Sequence, residues 1–268
     1  LQPPRWTGGV PWLQVDVGSR DAVTAAVAEA EADAVIHLAA ILGTAETFDH
    51  PWKTVEANVG GTINVLEACR ARPGTHYFGV ETGTPWLSPY AISKRAATDF
   101  ARAYHRGFGV PVTILKGFNV YGPRQMGTEA VTKIVPRFGL NALRGEPLPV
   151  YGDGTQTIDL VHVEDCATSF ALAVERAPGR AEVIEVGTGV PITVLEVARR
   201  ILDLVGGGEM EFLPMRIGEG PEYPVADTRM AREVLGHVPP ATPERLAETV
   251  LWYREHMLEG QDLIHRPG

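Results

Sequence analysis

Strand-like and helix-like segments alternate along the first half of the chain, and this alternation limits the possible folds more than any other feature. Trp12–Val17 alternates apolar and polar residues with the period of two that is typical of a strand. A helical pattern follows from Ser19, and Asp33–Ala40 is a short apolar run typical of a strand buried on both faces. The pattern continues with a helix over 51–71, a strand over 75–80, a helix over 88–109 and a strand from 111 that runs into a loop. This rhythm predicts an α/β fold with a parallel sheet and right-handed crossovers.

The composition of the sequence changes after Gly122, where proline, glycine and short helical patterns dominate. A late strand pattern begins at Ala181, and a C-terminal helix is predicted to open at the turn Thr242–Arg245. We expect a smaller C-terminal region that packs on the strand ends, where open parallel sheets bind their ligands.

Composition and charge exclude several classes of protein. The 268 residues carry a formal net charge of −9, which argues against a nucleic-acid partner because phosphate backbones attract basic surfaces. The two cysteines, Cys69 and Cys166, have no metal-binding or disulfide spacing, so we expect neither zinc nor disulfides. No apolar run of membrane-spanning length and no signal peptide is visible, which predicts a cytoplasmic protein without membrane contact.

The stretch SPYAISK, residues 88–94, places Tyr90 and Lys94 four residues apart. In a helix this spacing puts both side chains on one face. An ammonium group beside a phenol stabilises the phenolate and lowers its pKa, so that the tyrosine can remove a proton from an alcohol. The spacing is also common by chance, and taken alone it leaves open that both residues are ordinary members of a helix start.

Several other segments of the sequence, taken together with this stretch, resemble the extended short-chain dehydrogenase/reductases. The resemblance is specifically to the NAD-dependent epimerase/dehydratase family, which acts on nucleotide sugars. The resemblance covers nearly the whole chain, in the family's order. It is carried by VDVGSRDAV, VIHLAA, EANVGGTINVLEAC, SPYAISKRAA, LKGFNVYGPRQ, PLPVYGDGTQTIDLVHVEDCA and two late segments, VIEVGTGVPITVLEVA and GPEYPVADTRMAREVLG.

The resemblance implies a Rossmann-type doubly wound parallel sheet with a smaller C-terminal substrate-binding region. Residues 1–122 are then the NAD-binding domain, and residues 123–268 mainly bind the nucleotide sugar while some of their segments return to the sheet. It further implies NAD as cofactor, with NADP not excluded, a nucleotide-diphospho-sugar substrate and a homodimer formed by the helices of Asn58 and Tyr90.

Site residues carry over from the family motifs position by position. The tyrosine is the family's acid/base and the lysine holds the nicotinamide ribose, which assigns Tyr90 and Lys94. The resemblance assigns cofactor contacts to Asp16, Val17, Leu38, Ala39, Ala40, Asn58, Tyr90, Lys94, Phe118 and Val120. It assigns substrate contacts to Asn119, Val150, Gly152, Gln156 and Arg216.

Three departures from the family pattern stand out. The glycine-rich fingerprint G-x-x-G-x-x-G, which holds the cofactor pyrophosphate, does not occur, and the family's first β–α–β unit is missing. The family's segment with a catalytic serine or threonine, S-S-x-x-V-Y-G, is also absent before Tyr90, which leaves Thr82 and Thr84 as nearby hydroxyls without an assigned role. Ile158 stands where the family has an arginine. Either the protein lacks both segments and is a poor or inactive enzyme, or, as we expect, the sequence omits loops of a longer protein. An intact mass clearly above 29.0 kDa would support the second explanation, and a mass equal to that of the 268 residues would refute it.

Three functions remain open at this stage. We expect modification of a nucleotide-diphospho-sugar through a transient 4-keto intermediate, most simply 4-epimerisation. A nucleotide-sugar 4,6-dehydratase is the alternative, although the acidic pair that marks family dehydratases is missing with the serine/threonine segment. A non-catalytic nucleotide-binding or scaffold protein on the same fold is the rival from another class.

Overall fold

A computed structural model describes residues 10–125, 133–221 and 223–257. The elements of the first half are α1 (Arg20–Glu29), β1 (Ala34–Ile36), α2 (Pro51–Val55), α3 (Gly61–Ala71), β2 (His76–Thr82), α4 (Pro89–Phe108), β3 (Val112–Gly117) and β4 (Asn119–Tyr121). Those of the second half are α5 (Ile134–Arg144), β5 (Leu148–Tyr151), β6 (Thr157–Ile158), β7 (Leu160–His162), α6 (Val163–Arg176), β8 (Arg180–Val186), β9 (Ile192–Thr193), α7 (Val194–Val205), β10 (Met210–Leu213) and α8 (Arg245–Met257).

The main sheet has the strand order β1-β2-β3-β8, and all its pairings are parallel. Helices cover both faces. Tyr77 and Ile114 pack with α1 and α3 on one face, whereas Phe78, Leu115 and Ile184 pack with α6 on the other. The predicted doubly wound α/β fold is therefore confirmed. Because the strands are parallel, their carboxyl ends meet at one edge, where such sheets bind ligands.

A second core lies in the C-terminal half. Strand β5 pairs in parallel with β10, and α5, α7 and α8 pack around them. Phe138, Val150, Ile201 and Leu246 are almost or completely buried in this core. Strand β8, although it comes late in the chain, lies beside β3 in the main sheet. In the part of the chain that the structure describes, no helix is long and apolar enough to cross a membrane.

One sequence-based strand prediction is wrong, and another is right only in part. Trp12–Val17 forms no strand, because no described segment pairs with it; Val15 and Val17 instead pack against the core beside α1 and α3. Asp33–Ala40 does contain a strand, but only over Ala34–Ile36, and its residues are half-buried or exposed instead of buried on both faces.

The two halves are joined by the buried carboxylate of Asp159, which precedes β7. Its Oδ1 accepts hydrogen bonds from the backbone N–H and the hydroxyl of Thr188, at 2.9 and 2.7 Å. Its Oδ2 accepts from the backbone N–H groups of Gly189 and Ala226, both at 3.0 Å. Four donors from two other segments therefore converge on one fully buried carboxylate, which fixes the loop after β8 against the C-terminal half.

We predict that Asp159→Asn destabilises the protein by about 3 kcal/mol, because an amide nitrogen then faces backbone donors inside the core. Chemical unfolding of both proteins measures the difference. Asp203→Asn, an exposed change on α7, is the control and should change the free energy of unfolding little. A loss at position 159 no larger than that of the control would contradict the role of the carboxylate.

Candidate active site

Helix α4 begins with the SPYAISK stretch. The Ser88 hydroxyl caps the helix by accepting a hydrogen bond from the backbone N–H of Ala91 at 3.2 Å, and Pro89 occupies the first turn. The backbone N–H of Tyr90 donates to the Thr47 hydroxyl at 3.2 Å. Because the segment is helical, Tyr90 and Lys94 lie one turn apart on the same face.

Lys94 is buried, with only 5% of its surface exposed. Burial lowers the pKa of its ammonium group to about 8, and the carboxylate of Glu81 at the end of β2 opposes this decrease. Burial, together with the charge of Lys94, lowers the pKa of His37 to about 4, so this imidazole is neutral at physiological pH. Lys94 is thus a buried cation whose charge is supported by one nearby carboxylate.

Thr82, the last residue of β2, contacts the phenol of Tyr90. Burial raises the pKa of Tyr90, and a side-chain hydrogen bond with Thr82 opposes the rise. Thr82 is itself buried, and its hydroxyl also accepts a hydrogen bond from the backbone N–H of Thr84 at 3.1 Å. A hydroxyl donor, a phenol and an ammonium group are therefore gathered at the carboxyl end of the sheet.

A cavity of about 260 Å³ lies beside Tyr90. It is lined by the ends of β2 and β3, by Glu81 and by the three loop residues that the sequence analysis assigned to ligands: Phe118, Asn119 and Val120. A second cavity, of about 120 Å³, contains Arg216 and Gln156. The two cavities share the lining residues Thr84, Asn119, Lys133, Ile134 and Tyr223 and therefore adjoin.

Arg216 is one of three basic residues that line the second cavity, together with Lys133 and Arg137. Its guanidinium group donates to Glu46 at 3.1 Å and to Glu219, and it lies 5.1 Å from the centre of the Tyr151 ring. Gln156 donates to the backbone carbonyl of Tyr151 at 2.7 Å. An arginine fork of this kind suits phosphate oxygens.

Two residues that were predicted to contact substrate, Val150 and Gly152, do not line either cavity, and their assignment stays a prediction. The side chain of Val150 is completely buried in the second core, because α5 and α7 cover β5. Gly152 lies in the turn after β5 with a left-handed φ of +73°, and an added Cβ would lie 2.9 Å from the Met215 side chain.

Asn58 supports the site through hydrogen bonds to two neighbouring segments. It lies in a π-helical turn over Glu56–Gly60, is buried, and bonds the backbone of Ile41 through both its oxygen and its nitrogen, at 2.7 and 3.0 Å. Its nitrogen also donates to the Ser93 hydroxyl at 2.9 Å, which in turn donates to the carbonyl of Tyr90 at 2.8 Å. The side chain that was predicted to contact cofactor thus ties the segment after β1 to α4.

The remaining predicted cofactor residues lie at the free edge of the sheet. Leu38, Ala39 and Ala40 continue β1 as an irregular, largely exposed segment next to the end of β2. Asp16 is exposed, and its carboxylate accepts from the backbone N–H of Gly18 at 2.8 Å. The carbonyl of Val17 accepts from Asn64 at 2.8 Å, which holds this segment on α3.

The amino-acid sequence matches a known protein family over most of its length. Residues 2–187 match the model of the NAD dependent epimerase/dehydratase family. The chain belongs to this family. Its members are NAD-dependent enzymes. Thr82 and Tyr90 lie at the carboxyl ends of the parallel strands, the edge at which such sheets bind ligands.

Relatives of both activities are about equally similar. The chain is 31% identical to a dTDP-glucose 4,6-dehydratase of Neisseria gonorrhoeae over 93% of this chain and 82% of that protein. It is 31% identical to a UDP-glucose 4-epimerase of Mycolicibacterium smegmatis over 91% of this chain and 82% of that protein. It spans only 41% of a longer, trifunctional UDP-glucose 4,6-dehydratase of Arabidopsis thaliana, at 27% identity.

The fold is likewise that of a solved family member. The crystal structure of UDP-glucose 4-epimerase from Thermotoga maritima with UDP-glucose superposes with a TM-score of 0.87 at 25% identity. The match covers 93% of this chain and 86% of that one.

The residues beside Tyr90 fit one end of the family's NAD. The buried Lys94 offers ammonium donors to a ribose, and the exposed segment Leu38–Ala40 offers an apolar surface at the adjoining strand end. The imidazole of His37 adds a buried Nε2 that has no partner among the described residues. These residues fit the nicotinamide riboside half of the cofactor.

Sequence reasoning missed Thr82, Glu81 and Glu46. Thr82 was named as a nearby hydroxyl but given no role, although its place at a strand end on the ligand-binding edge was a usable signal. Glu46 pairs with a residue 170 positions away, and no local pattern could reveal that contact.

Lys94→Met should stabilise the protein while abolishing its activity. With a pKa of 10.5 unfolded and about 8 folded, the buried ammonium costs up to about 3 kcal/mol below pH 8. This cost disappears as the pH rises from 8 to 10.5, since the unfolded chain then loses the same proton. Chemical unfolding near pH 7 and near pH 10 measures the difference.

The exposed Lys53→Met change is the matched control and should alter stability little at either pH. A Lys94→Met protein that is less stable than the parent near pH 7 would contradict the assignment of a costly buried charge.

Proposed function

We propose that the protein modifies a nucleotide-diphospho-sugar through a transient 4-keto intermediate, and that the reaction is 4-epimerisation. The observation that carries this proposal is the contact of Tyr90 with Thr82 at a cavity that adjoins the cavity of Arg216, with the buried Lys94 one helical turn from Tyr90 on α4. One cavity supplies acid–base chemistry at an alcohol, and the other supplies a cation for a diphosphate.

The proton chemistry rests on three side chains. Tyr90, as phenolate, takes the proton from the sugar hydroxyl. Lys94 stabilises the phenolate by its charge, and Thr82 donates a hydrogen bond to the same oxygen. When bound, NAD supplies a hydride acceptor for the carbon that bears this hydroxyl. Lys94 lies one helical turn from Tyr90, and its burial keeps water from the ammonium group, so its charge is weakly screened.

The choice between epimerase and dehydratase rests on carboxylates. Removing water from C5–C6 requires a base for one proton and an acid for the departing hydroxyl. Among the described residues that line the cavity of Tyr90, Glu81 is the one carboxylate, and its charge is directed at Lys94. Gly83 and Thr84, which follow Thr82, carry no carboxylate either. These features favour epimerisation, with 4,6-dehydration as the alternative.

Incubation with NAD and a panel of UDP-, dTDP-, GDP- and CDP-hexoses tests the function, with products read by mass spectrometry and NMR. We expect an epimer of unchanged mass. A product lighter by one water would establish the dehydratase instead. Neither product with any substrate would favour the non-catalytic rival.

Tyr90→Phe should reduce turnover by about a thousandfold, because it removes the proton acceptor. Thr82→Val should reduce turnover about tenfold, since it removes a single hydrogen bond, and Thr82→Ser should restore it. Initial rates with the best substrate of the panel measure both effects. Tyr104→Phe, a change on the same helix at the Glu67 side, is the control. Full turnover of Tyr90→Phe would overturn the catalytic assignment.

A homodimer remains a prediction that the surface of α2 and α4 supports. Trp52 and Val55 of α2 and Ile92 and Phe100 of α4 are exposed apolar side chains, and α4 packs against both α2 and α3. A four-helix interface with a second copy would remove these side chains from water. The predicted cytoplasmic location is compatible with two cysteines that form no disulfide.

Phe100→Asp should convert the dimer to a monomer, because a carboxylate would then lie in the apolar interface. Sedimentation velocity measures the change. Phe212→Asp, an equally drastic change at an exposed phenylalanine of β10, should leave the dimer intact. A parent protein that sediments as a monomer would refute the prediction.

A further inference from the structure

One short turn touches both parts of the proposed site. Glu46–Phe48 forms a single 3-10 turn between β1 and α2. Its three residues make contacts on two sides: Thr47 with the start of α4, and Glu46 and Phe48 with the segment that carries Arg216. The described chain thus connects the acid–base residue and the arginine through three consecutive residues.

On the first side, Thr47 supports the backbone of Tyr90. Its side chain is almost completely buried, and its hydroxyl accepts the hydrogen bond from the Tyr90 N–H at 3.2 Å. The same hydroxyl donates to the carbonyl of Gly43 at 2.8 Å, which fixes its direction. The N–H groups of a first helical turn have no partner inside the helix, so Thr47 caps α4 from outside.

On the second side, Glu46 and Phe48 hold the segment Arg216–Gly220. The Oε1 of Glu46 accepts from Arg216 at 3.1 Å. The ring of Phe48 packs so closely on Gly218 that an added Cβ there would lie 2.5 Å from it. Among the described residues, the Oε2 of Glu46 and the Nε of Arg216 are buried without a partner, so this ion pair retains unused hydrogen-bonding capacity.

We propose that Glu46 and Thr47 are positioning residues, which set the distance between Arg216 and Tyr90. This distance places the sugar hydroxyl of a bound nucleotide sugar at the phenol oxygen of Tyr90. This inference rests on the proposed function. A substrate held at its diphosphate by Arg216 presents its sugar hydroxyl to Tyr90 only when both anchors keep a fixed separation. A misplacement of about 1 Å at a reacting group can cost a hundredfold in rate.

Glu219 provides a matched control. It also accepts a hydrogen bond from Arg216, but it belongs to the arginine's own segment and not to the turn. Glu46→Gln and Glu219→Gln both remove one carboxylate from the guanidinium group. Only Glu46→Gln removes the ion pair that anchors the turn. Only this change should therefore weaken the hydrogen bond between Thr47 and the Tyr90 amide.

Hydrogen exchange of the Tyr90 amide tests the link without relying on turnover. Labelling with ¹⁵N-tyrosine gives seven amides, and the Tyr90 signal is the one lost in Tyr90→Phe. We expect exchange about tenfold faster in Thr47→Val and in Glu46→Gln, and unchanged exchange in Thr47→Ser and Glu219→Gln. Equal exchange in Glu46→Gln and Glu219→Gln would overturn the proposal.

Turnover supplies the second readout. With the best substrate of the panel, Thr47→Val should lower kcat about tenfold with little change in KM, and Thr47→Ser should recover it. Glu46→Gln and Thr47→Val should be non-additive in kcat, because they act through one turn, whereas Glu219→Gln and Thr47→Val should be additive. Additive effects in the first pair would contradict the proposal.

If no substrate is turned over, the proposed function fails, and the exchange experiment still decides whether the turn supports Tyr90.

Discussion

The buried carboxylate of Asp159 is the interaction on which the arrangement of the two halves depends. Its four hydrogen bonds connect the entry to β7, the loop after β8 and the segment at Ala226. Strand β8 belongs to the main sheet, whereas β7 pairs with β4 outside it. The carboxylate therefore holds the C-terminal half over the carboxyl ends of the parallel strands, and both cavities lie at this junction. An unpaired charge there would be very costly, so the folded state depends on these donors.

The second constraint is the burial of Lys94, which costs stability but leaves its charge weakly screened for the proposed reaction. Burial lowers the pKa of its ammonium group to about 8, and Glu81 keeps it from falling further. A free ammonium in water would serve stability better but would act only weakly on Tyr90 across a high dielectric. Thr82 completes the group from the sheet side, and Ser93 and Asn58 fix the backbone of Tyr90 from the helix side. These partners come from β2, from α4 and from the turn of Asn58, which are distant in sequence, so the site exists only in the folded chain.

Local patterns predicted what depends on local structure. The helix from Pro89, its Ser88 cap and the shared face of Tyr90 and Lys94 follow from spacing and capping chemistry alone. The strand at Trp12–Val17 was wrong because a strand also needs a neighbour, which alternation cannot report. Thr82 received no role because its contact with Tyr90 depends on where β2 ends relative to α4. Glu46 was missed for the same reason, as its ion pair with Arg216 joins distant segments. Val150 was assigned from a motif, but only its place inside β5 shows that its side chain belongs to the core.

The central claim is that Tyr90, Lys94 and Thr82 epimerise the sugar by forming a ketone at C4 that is then reduced again. UDP-glucose with deuterium at C4 tests it most directly, with the product isolated and its deuterium located by NMR. The account predicts the C4 epimer, of unchanged mass and with deuterium still at C4, because the hydrogen is removed and returned without exchange with water. A product lighter by one water, or an epimer that has lost its C4 deuterium to solvent, would contradict it.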